Sequence, residues 1–459
     1  MIPNRSPWLH QLKRTRNAVP LGKHASADVV IVGGGIAGVV TAYFTLRNTQ
    51  KTVLLLEADK VAHGATGHNA GQLTSYFERP LHELANEFGA EMAAEGQRHV
   101  ESAWTLIDQI IAETKLTTPL YRFMGYEGCA TLEHVVSVIK SNEVRRKGGL
   151  VPESILVAKE WPGKVHIPPR FDPLYDLVPQ SDILDLLETN NTAFIASVAS
   201  QKGCMNSALF TEELLTYLLN RYEGRFACFE DSPVKTITLT GEHAELVVKD
   251  YTVSAERVVL CTNGFEKFSI INKAGPEINT SFHHAVQGRI GFMAGYVEPL
   301  NHPPSAISYR VPHTSARKDP TGDPYFYFTR RPHEHTTPGS FNLICAGGPE
   351  KVLPNQADYS REEYCPEDQR ELIDEFLRGN YRSHNDAARE YEFCWHGLMG
   401  YTPSGTRRIG PEPINQTLLY NLGCNGVGIL PSIYGAYKIS QFLNNEPLQP
   451  SMFDPHDQR

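Results

Sequence analysis

The amino-terminal part of the chain combines continuous apolar runs with a helical pattern. Residues 29–32 (VVIV) are all apolar, as in a parallel strand that is buried on both faces. Residues 36–47 place Ala, Val, Phe and Leu at helical spacing, and residues 53–56 (VLLL) form a second apolar run. The pattern therefore predicts a strand, a helix and a parallel strand in succession.

Later segments predict further helices and a different kind of sheet. Alanine, glutamate and leucine are frequent in the first helical segment, which we expect to form one or two helices, and two shorter segments each predict one helix. Three other segments are rich in β-branched and aromatic residues and are bounded by Gly and Pro, as in antiparallel strands. The helical segments are 78–115, 366–378 and 433–443, and the strand segments are 286–297, 323–331 and 341–349.

A GxGxxG motif stands between the first strand and the first helix, at residues 33–38. Gly33 allows the tight turn, Gly35 lets the backbone approach a pyrophosphate, and Gly38 lets helix and strand pack closely. Glu57 ends the second apolar run 19 residues after Gly38, where a ribose-binding carboxylate is expected. The complete unit predicts dinucleotide binding, and the alternative is a purely structural turn. Because no second such unit follows, one dinucleotide is expected, and FAD fits best.

Length and composition restrict the class of protein. A chain of 459 residues predicts two domains, or one domain with a large insertion, and its net charge of −9 argues against binding nucleic acid. No apolar run is long enough for a membrane span. The eight cysteines include no CxxC pair, so we expect reduced thiols and a cytoplasmic location. His333, Glu334 and His335 lie among Pro and Gly without further ligands, which predicts a loop and no metal site.

Four separated segments resemble the D-amino-acid oxidase-like (DAO) family of FAD-dependent oxidoreductases, which includes glycine oxidase, sarcosine oxidase and the dehydrogenases of N-methylated glycines. They are DVVIVGGGIAG with VLLLEA and GATGHNAGQ (28–72), the helix and strand at 203–239, ERVVLCTNGF (256–265), and the carboxyl-terminal return at 394–443. The resemblance implies an α/β fold, with a Rossmann-like FAD-binding domain and a discontinuous antiparallel-sheet (α+β) substrate domain.

The resemblance also implies domain boundaries. Residues 1–27 would form an irregular amino-terminal arm. The FAD-binding domain would be assembled from residues 28–75, 203–270 and 396–459, and the substrate domain from residues 76–202 and 271–395.

The resemblance assigns the flavin contacts to seven short stretches of the chain. Val234 would lie against adenine, and the turn at 423–428, at the start of a helix, would face the flavin ring and favour negative charge on the reduced flavin. The residues implied to contact FAD are Gly33, Gly35, Ile36, Ala37, Gly38, Glu57, Ala58, Gly64, Ala65, Thr66, Gly67, His68, Asn69, Ala70, Gly71, Gln72, Val234, Thr262, Asn263, Gly264, Gly397, Gly423, Asn425, Gly426, Val427 and Gly428.

His68 has two readings under this resemblance. Many relatives carry Arg at this position. The dimethylglycine and sarcosine dehydrogenases carry a His there, directly preceded by a Trp in the sequence, and that His is bonded covalently to the flavin. Here Gly67 precedes His68, which favours a non-covalent histidine near the flavin over a covalent anchor. A purely structural histidine is the remaining alternative.

The substrate side is less defined. If the substrate has a carboxylate, we expect an arginine to bind it through two parallel hydrogen bonds. The candidates are Arg289, Arg330, Arg331, Arg407 and Arg408. Polar groups that could line the cavity are His283, His284, Tyr325, Tyr327, His396 and Tyr401. The catalytic candidates from these sets are His68, Arg289, Tyr327 and His396.

The expected function is FAD-dependent oxidation of the C–N bond of a small amine or amino acid. Hydride transfer to the flavin would give an imine that hydrolyses, and oxygen or another electron acceptor would reoxidise the flavin. The alternatives are a flavin monooxygenase that uses NAD(P)H and a non-catalytic flavin-bound module. The expected partner is a small-molecule amine or amino acid, with no nucleic acid and no metal.

Overall fold

The structure is a computed structural model that describes residues 3–12, 14, 16–278, 286–312, 325–333, 341–383 and 389–455. Within these residues most strands belong to two large sheets, which we call the first sheet and the second sheet. The helices in the described ranges are α1 (Pro7–His10), α2 (Ile36–Asn48), α3 (Leu81–Phe88), α4 (Ala90–Thr114), α5 (Leu132–Lys147), α6 (Gln180–Leu186), α7 (Ser207–Arg221), α8 (Glu367–Asn380) and α9 (Ile429–Leu443).

The first sheet has nine strands in the described part of the chain. They are β1 (Ala25–Val32), β2 (Val53–Leu56), β8 (Phe226–Phe229), β9 (Val234–Leu239), β10 (Ala244–Val248), β11 (Tyr251–Leu260), β12 (Ser269–Asn272), β19 (Arg408–Pro411) and β20 (Leu418–Leu422). Parallel strands form its centre in the order β8-β2-β1-β11-β20. Helix α2 connects β1 to β2, which confirms the strand–helix–strand prediction.

The second sheet has eleven strands among the described residues. They are β3 (Gln72–Thr74), β4 (Tyr121–Cys129), β5 (Ser154–Ala158), β6 (Asp176–Val178), β7 (Ala196–Cys204), β13 (Gln287–Pro299), β14 (Ser305–Arg310), β15 (Tyr325–His333), β16 (Phe341–Gly347), β17 (Lys351–Val352) and β18 (Phe393–Tyr401). Most neighbours are antiparallel, whereas β14 with β4 and β5 with β6 are parallel. Strands β13, β15 and β16 confirm the three strand segments predicted from the sequence.

Strand β1 shows why a continuous apolar run is needed at the centre of the first sheet. Val29 and Ile31 pack into one hydrophobic cluster, whereas Val30 and Val32 pack into a different cluster on the opposite face. Successive side chains of a strand point to opposite faces, so both faces are covered. Each buried aliphatic side chain contributes about 1.5–3 kcal/mol.

The chain passes between the two sheets four times within the described residues, after β2, β7, β12 and β18. The last predicted piece of the FAD-binding domain, residues 396–459, starts inside β18. This strand pairs along its whole length with β13 of the second sheet, and the first sheet resumes only at β19. The domain boundaries themselves stay predictions.

The amino-terminal arm is more ordered than the sequence indicates. It contains the short helix α1, which the Ser6 side chain caps by accepting the Trp8 N–H. Trp8 is completely buried. Further along the arm, the Arg16 Nε–H donates to Glu212 on α7 at 2.8 Å. The arm is therefore part of the packed structure.

Candidate functional site

The glycine-rich turn adopts the close packing that its sequence predicts. Gly33 has φ of +109°, and a Cβ on it would lie 2.6 Å from the Cys261 carbonyl oxygen. A Cβ on Gly38 would lie 1.9 Å from the Gly33 carbonyl oxygen, so side chains are excluded at both positions. The glycines thus bring the start of α2 directly against β1.

Glu57 lies beside this turn, as the motif predicts. Its carboxylate accepts the Gly34 N–H at 2.6 Å and the Asp59 N–H at 3.0 Å. Burial raises the pKa of Glu57, although these two N–H groups oppose the rise. The glycine cradle and the adjoining carboxylate fit the pyrophosphate and ribose of a dinucleotide.

Residues 64–72 follow the surface of this turn. The Thr66 hydroxyl accepts the Ile36 N–H at 2.9 Å and so reaches the first turn of α2. A Cβ on Gly67 would lie 2.5 Å from the Ala62 carbonyl oxygen, which explains the glycine there. Asn69 then holds the segment in place, because its Oδ1 accepts the Gly71 N–H at 2.7 Å. Ala65, Ala70 and Gln72 lie in this stretch, whereas Ala58 directly follows Glu57.

His68 lies between its own loop and strand β18. Its Nδ1 lies 3.0 Å from the Gly64 carbonyl oxygen, which can only accept, so Nδ1 carries the proton and Nε2 keeps its lone pair. A Cβ on Gly397 of β18 would lie 2.4 Å from the His68 carbonyl oxygen. Burial lowers the pKa of His68 to about 4. The imidazole is therefore neutral at pH 7.

The turn at residues 423–428 meets the 262–264 turn in front of the first sheet. Asn425 and Gly426 have φ of +47° and +76°, and Asn263 has φ of +63°. The Cys424 N–H donates to the Asn263 Oδ1 at 2.8 Å, which joins the two turns. The turn ends at Gly428, the N-cap of α9, and Val427 lines a small cavity beside it. The sequence-predicted segments around residues 33–38, 64–72, 262–264 and 423–428 therefore converge.

The second sheet contributes Arg289 and Tyr401 opposite this turn. The Tyr401 hydroxyl donates to Glu350 Oε1 at 2.8 Å, and the Arg289 Nη1 lies 3.5 Å from Glu350 Oε2. The Arg289 guanidinium also lies over the Tyr401 ring, 3.9 Å from its centroid. Arg289 is thus both paired with a carboxylate and stacked on an aromatic ring.

Glu78 is a site residue that the sequence analysis missed. A Cβ on Gly426 would lie 2.5 Å from the Glu78 Cγ and 2.7 Å from the Tyr401 hydroxyl. Glu78 also lines the small cavity together with Cys424 and Asn425. Burial, with a further contribution from the Glu350 carboxylate, raises the pKa of Glu78 to about 7. In the sequence, the only sign of a relation between Glu78 and the site is that Glu78 follows shortly after the GATGHNAGQ segment.

Two of the predicted tyrosines lie on β15 of the second sheet. The rings of Tyr325 and Tyr327 on β15 stack with centroids 5.2 Å apart. The Tyr327 hydroxyl donates to the Met293 Sδ at 3.0 Å. A Cβ on Gly347, opposite Tyr327 on β16, would lie 2.5 Å from that hydroxyl, so the glycine makes room for the ring.

Lys202 on β7 was also missed from the sequence. Its Nζ donates to Ser308 Oγ at 3.3 Å and lies 5.7 Å from the centroid of the Tyr76 ring. Burial lowers the pKa of Lys202 to about 8. A lysine in the middle of a strand is an ordinary surface residue by pattern, so the sequence gives no signal for it.

The other candidate arginines have structural partners. Arg330 is almost fully buried, and its Nη1 and Nη2 donate to the two Glu188 carboxylate oxygens at 2.6 and 2.7 Å. Arg331 lies over the Trp8 ring, and Arg407 donates to Asn421 Oδ1 at 2.5 Å. Arg408 is buried on β19.

The remaining predicted residues have mixed placements. The His396 Nε2 lies 3.0 Å from the Glu363 carbonyl oxygen, and its ring packs against Tyr359 and Phe292. Val234 is buried at the start of β9. His283, His284, Glu334 and His335 lie outside the described residues, whereas His333 is the last residue of β15, so the loop prediction is wrong at His333.

The described ranges contain neither a metal-binding cluster nor a membrane-spanning helix. No group of three or more His, Cys, Asp or Glu side chains is placed to hold a metal ion there. In the same ranges, no helix combines the length and the apolar character that crossing a bilayer requires.

A first sheet with a glycine-rich dinucleotide turn, facing a mainly antiparallel second sheet, defines a two-domain dinucleotide-binding protein. The chain belongs to the DAO family of FAD-dependent oxidoreductases, whose family model matches residues 28–441. Among solved structures, it resembles glycine oxidase from Geobacillus kaustophilus with 15% identity and a TM-score of 0.64, over 94% of this chain and 98% of that one. L-proline dehydrogenase from P. horikoshii gives 13% identity and a TM-score of 0.66, over 95% and 97% of the two chains.

One curated relative is about twice as long as the part of it that matches this chain. The putative Rieske 2Fe-2S iron-sulfur protein YhfW of Bacillus subtilis (strain 168) is 23% identical over 293 residues, which is 63% of this chain and 51% of the relative. The chain therefore spans about half the length of that relative.

Proposed function

We propose that the protein binds FAD and oxidises the C–N bond of a small amine or amino acid. The observation that carries this proposal is the convergence of the glycine-rich turn, residues 64–72 and residues 423–428 opposite the polar face of the second sheet. The similar solved structures named glycine oxidase and L-proline dehydrogenase act, by name, on amino acids and support this class of substrate. When bound, FAD supplies a hydride acceptor for the carbon next to nitrogen.

Residues of the chain would hold and orient the two reactants. The N–H groups at the start of α2 and the Glu57 carboxylate would bind the dinucleotide. The Gly428 end of α9 would favour negative charge beside the flavin ring. Arg289, Tyr327 and Tyr401 on the second sheet would orient the substrate and restrict water.

His68 would contact the flavin as a neutral imidazole without a covalent bond. Its Nδ1 is engaged by the Gly64 carbonyl oxygen, and Gly67 leaves no bulky neighbour in front of it. The test is acid precipitation of the purified yellow protein. We expect the flavin in the supernatant, and yellow colour that stays in the pellet and is lost in His68→Ala would establish a covalent anchor instead.

The proposed activity is tested by anaerobic titration of the FAD-loaded protein with a panel of primary amines, N-methyl amines and amino acids. Loss of the flavin absorbance with one of them is the expected result. Rapid reduction by NADPH and by none of the amines would indicate a monooxygenase. A protein that cannot be loaded with FAD would contradict the proposal.

A further inference from the structure

Arg407 directly precedes β19 and is a buried cation, with 6% of its surface exposed. Its Nε–H donates to Asn421 Oδ1 at 2.5 Å, and its Nη2 donates to the Asn421 carbonyl oxygen at 2.6 Å. No carboxylate of the described residues forms an ion pair with it. Burial lowers the pKa of Arg407 only to about 10, so the guanidinium stays charged at pH 7. A buried charge of this kind is costly unless an opposite charge joins it.

The guanidinium lies against the turn at residues 423–428. Arg407 lines the small cavity beside this turn, together with three residues of the turn and one of the first turn of α9: Cys424, Asn425, Val427 and Pro431. The Nη1 of Arg407 makes no hydrogen bond within the described part of the chain. The cation therefore keeps donor capacity at the cavity.

Asn421 fixes the position of this charge. It lies on β20, the strand that leads into the 423–428 turn. Its Nδ2 donates to the Ser432 carbonyl oxygen on α9 at 3.0 Å and to the Thr41 hydroxyl on α2 at 3.3 Å. A Cβ on Gly435 would lie 2.4 Å from Asn421 Oδ1, so the glycine makes room for the amide. Arg407 is thus held by a side chain that is itself held by two helices.

The start of α9 adds positive potential at the same place. The helix begins after Gly428, without a side-chain cap and without an acidic residue in its first turn. The free N–H groups of such a helix end carry partial positive charge. Glu78 is the one carboxylate among the described residues that line the cavity. It forms no ion pair with Arg407, and with a pKa of about 7 it is only half ionised at neutral pH.

Two anions could meet this positive charge, namely the reduced flavin and a substrate carboxylate. Arg407 is anchored on β20, which belongs to the first sheet, and lies beside the turn proposed to face the flavin ring. The residues proposed to orient the substrate lie on the second sheet: Arg289, Tyr327 and Tyr401. The location of Arg407 therefore favours the flavin.

We infer that Arg407, together with the start of α9, stabilises the negative charge that FAD gains on reduction. Hydride transfer brings two electrons and one proton to the neutral flavin ring, so the reduced ring carries one negative charge. A cation that is fixed beforehand favours this form without rearranging during the reaction. The inference rests on the proposed binding of FAD and adds a residue that sets how strongly the bound cofactor attracts electrons.

The midpoint potential of bound FAD tests the inference without any substrate, by anaerobic equilibration with reference dyes and dithionite. Arg407→Gln keeps a side-chain donor for Asn421 and removes the charge. We expect it to lower the potential by at least about 30 mV, which is a tenfold change in a two-electron equilibrium. Arg407→Lys restores the charge and should recover most of that shift. An unchanged potential in Arg407→Gln would overturn the inference, also if binding of a carboxylate ligand such as acetate were weakened.

Two further variants locate the effect. Arg225→Gln is the matched control, because the Arg225 Nη2 also donates to backbone carbonyl oxygens but does so beyond the carboxyl end of α2, and its potential should equal that of the parent. Asn421→Asp gives Arg407 a counter-ion of unchanged size and should lower the potential even if Arg407→Gln does not fold. An equal shift in Arg225→Gln, or none in Asn421→Asp, would contradict the role of Arg407.

The same preparations separate this inference from the proposed function. A potential that depends on the charge at residue 407, in a protein that no amine reduces, supports the inference while the proposed oxidation fails. Reduction by an amine with a potential that does not depend on that charge has the opposite meaning. If the parent cannot be loaded with FAD, both fail.

Discussion

At the scale of single residues, burial sets the protonation states around the candidate site. It raises the pKa of Glu78 to about 7 and lowers the pKa of His68 to about 4. Both shifts favour the uncharged form, as expected when water is removed from an ionisable group. Glu78 therefore changes its charge near neutral pH, whereas His68 is uncharged throughout that range.

The titration of Glu78 gives the first prediction. The Glu78 carboxyl should lose its proton near pH 7, because burial and the Glu350 carboxylate raise its pKa, and infrared difference spectra recorded over a range of pH should follow the loss of the protonated carboxyl band. The pH profile should be flat in Glu78→Gln. A parent profile that is flat between pH 6 and 8 would contradict the assignment. The titratable and charged groups that face Glu78 are Tyr76, Glu127, Lys202, Arg310, Tyr325, Tyr327, Glu350 and Tyr401.

The same carboxylate should reduce stability, which is the second prediction. Because its folded pKa lies above the ordinary value of 4.5, the folded state binds the proton more tightly, and stability falls as pH rises from about 4.5 to about 7. Glu78→Gln should therefore melt at a higher temperature than the parent at pH 8, and the difference should shrink toward pH 4.5. Thermal melts at both pH values check this, and a lower melting temperature at pH 8 would contradict it.

At the scale of elements, the amino-terminal arm supports the 64–72 segment. The Trp8 and Trp395 indole N–H groups both donate to the Asn69 carbonyl oxygen, at 2.5 and 3.3 Å. A Cβ on Gly71 would lie 2.6 Å from the Trp8 ring. Helix α1 and β18 thus hold from two sides the loop that carries His68.

Removal of this support is the third prediction. Trp8→Ala should destabilise the protein by about 3–5 kcal/mol, as for other fully buried aromatic residues, and should weaken FAD binding because the 64–72 loop loses a contact. Denaturant melts and FAD titration measure the two effects. Val19→Ala, in the same arm but 54% exposed, is the control and should change neither. Unaltered FAD affinity in Trp8→Ala would show that the arm does not support the loop.

At the scale of the whole molecule, four segments far apart in the chain surround the proposed flavin position, namely 33–38, 64–72, 262–264 and 423–428. A ligand that contacts all four binds only the folded state. It therefore stabilises that state according to its concentration.

Flavin removal is the fourth prediction. The melting temperature should fall when FAD is stripped and should rise again with added FAD. At an FAD concentration one hundred times the dissociation constant, binding should add about 2.7 kcal/mol to the free energy of unfolding. Fluorescence-detected melting over a range of FAD concentrations measures this. A melting temperature that does not depend on FAD would contradict the proposed binding mode.

The predictability of the molecule from its sequence differs between the two sheets. Gly33, Gly38 and Glu57 form a local unit whose spacing specifies its geometry, so β1, α2, β2 and the position of the turn followed from pattern. Glu78 and Glu350 lie outside the strands and Lys202 lies on β7, so these residues, which are far apart in the sequence, come near one another only in the folded chain. No periodicity or motif encodes those encounters, and for the same reason the ion pair of Arg330 with Glu188 was not foreseen.

The repeated passage of the chain between the sheets has a consequence for dissecting the protein. Each sheet is completed by strands from distant stretches of the chain. Strand β20 pairs with β11 and carries β19 beside it in the first sheet, and β3 pairs with β7 in the second sheet. A single cut between β3 and β18 therefore leaves both fragments with partial sheets and exposed apolar faces. Truncated fragments should aggregate in isolation, so substrate-side residues are better studied by point substitution in the full chain than by expressing either half alone.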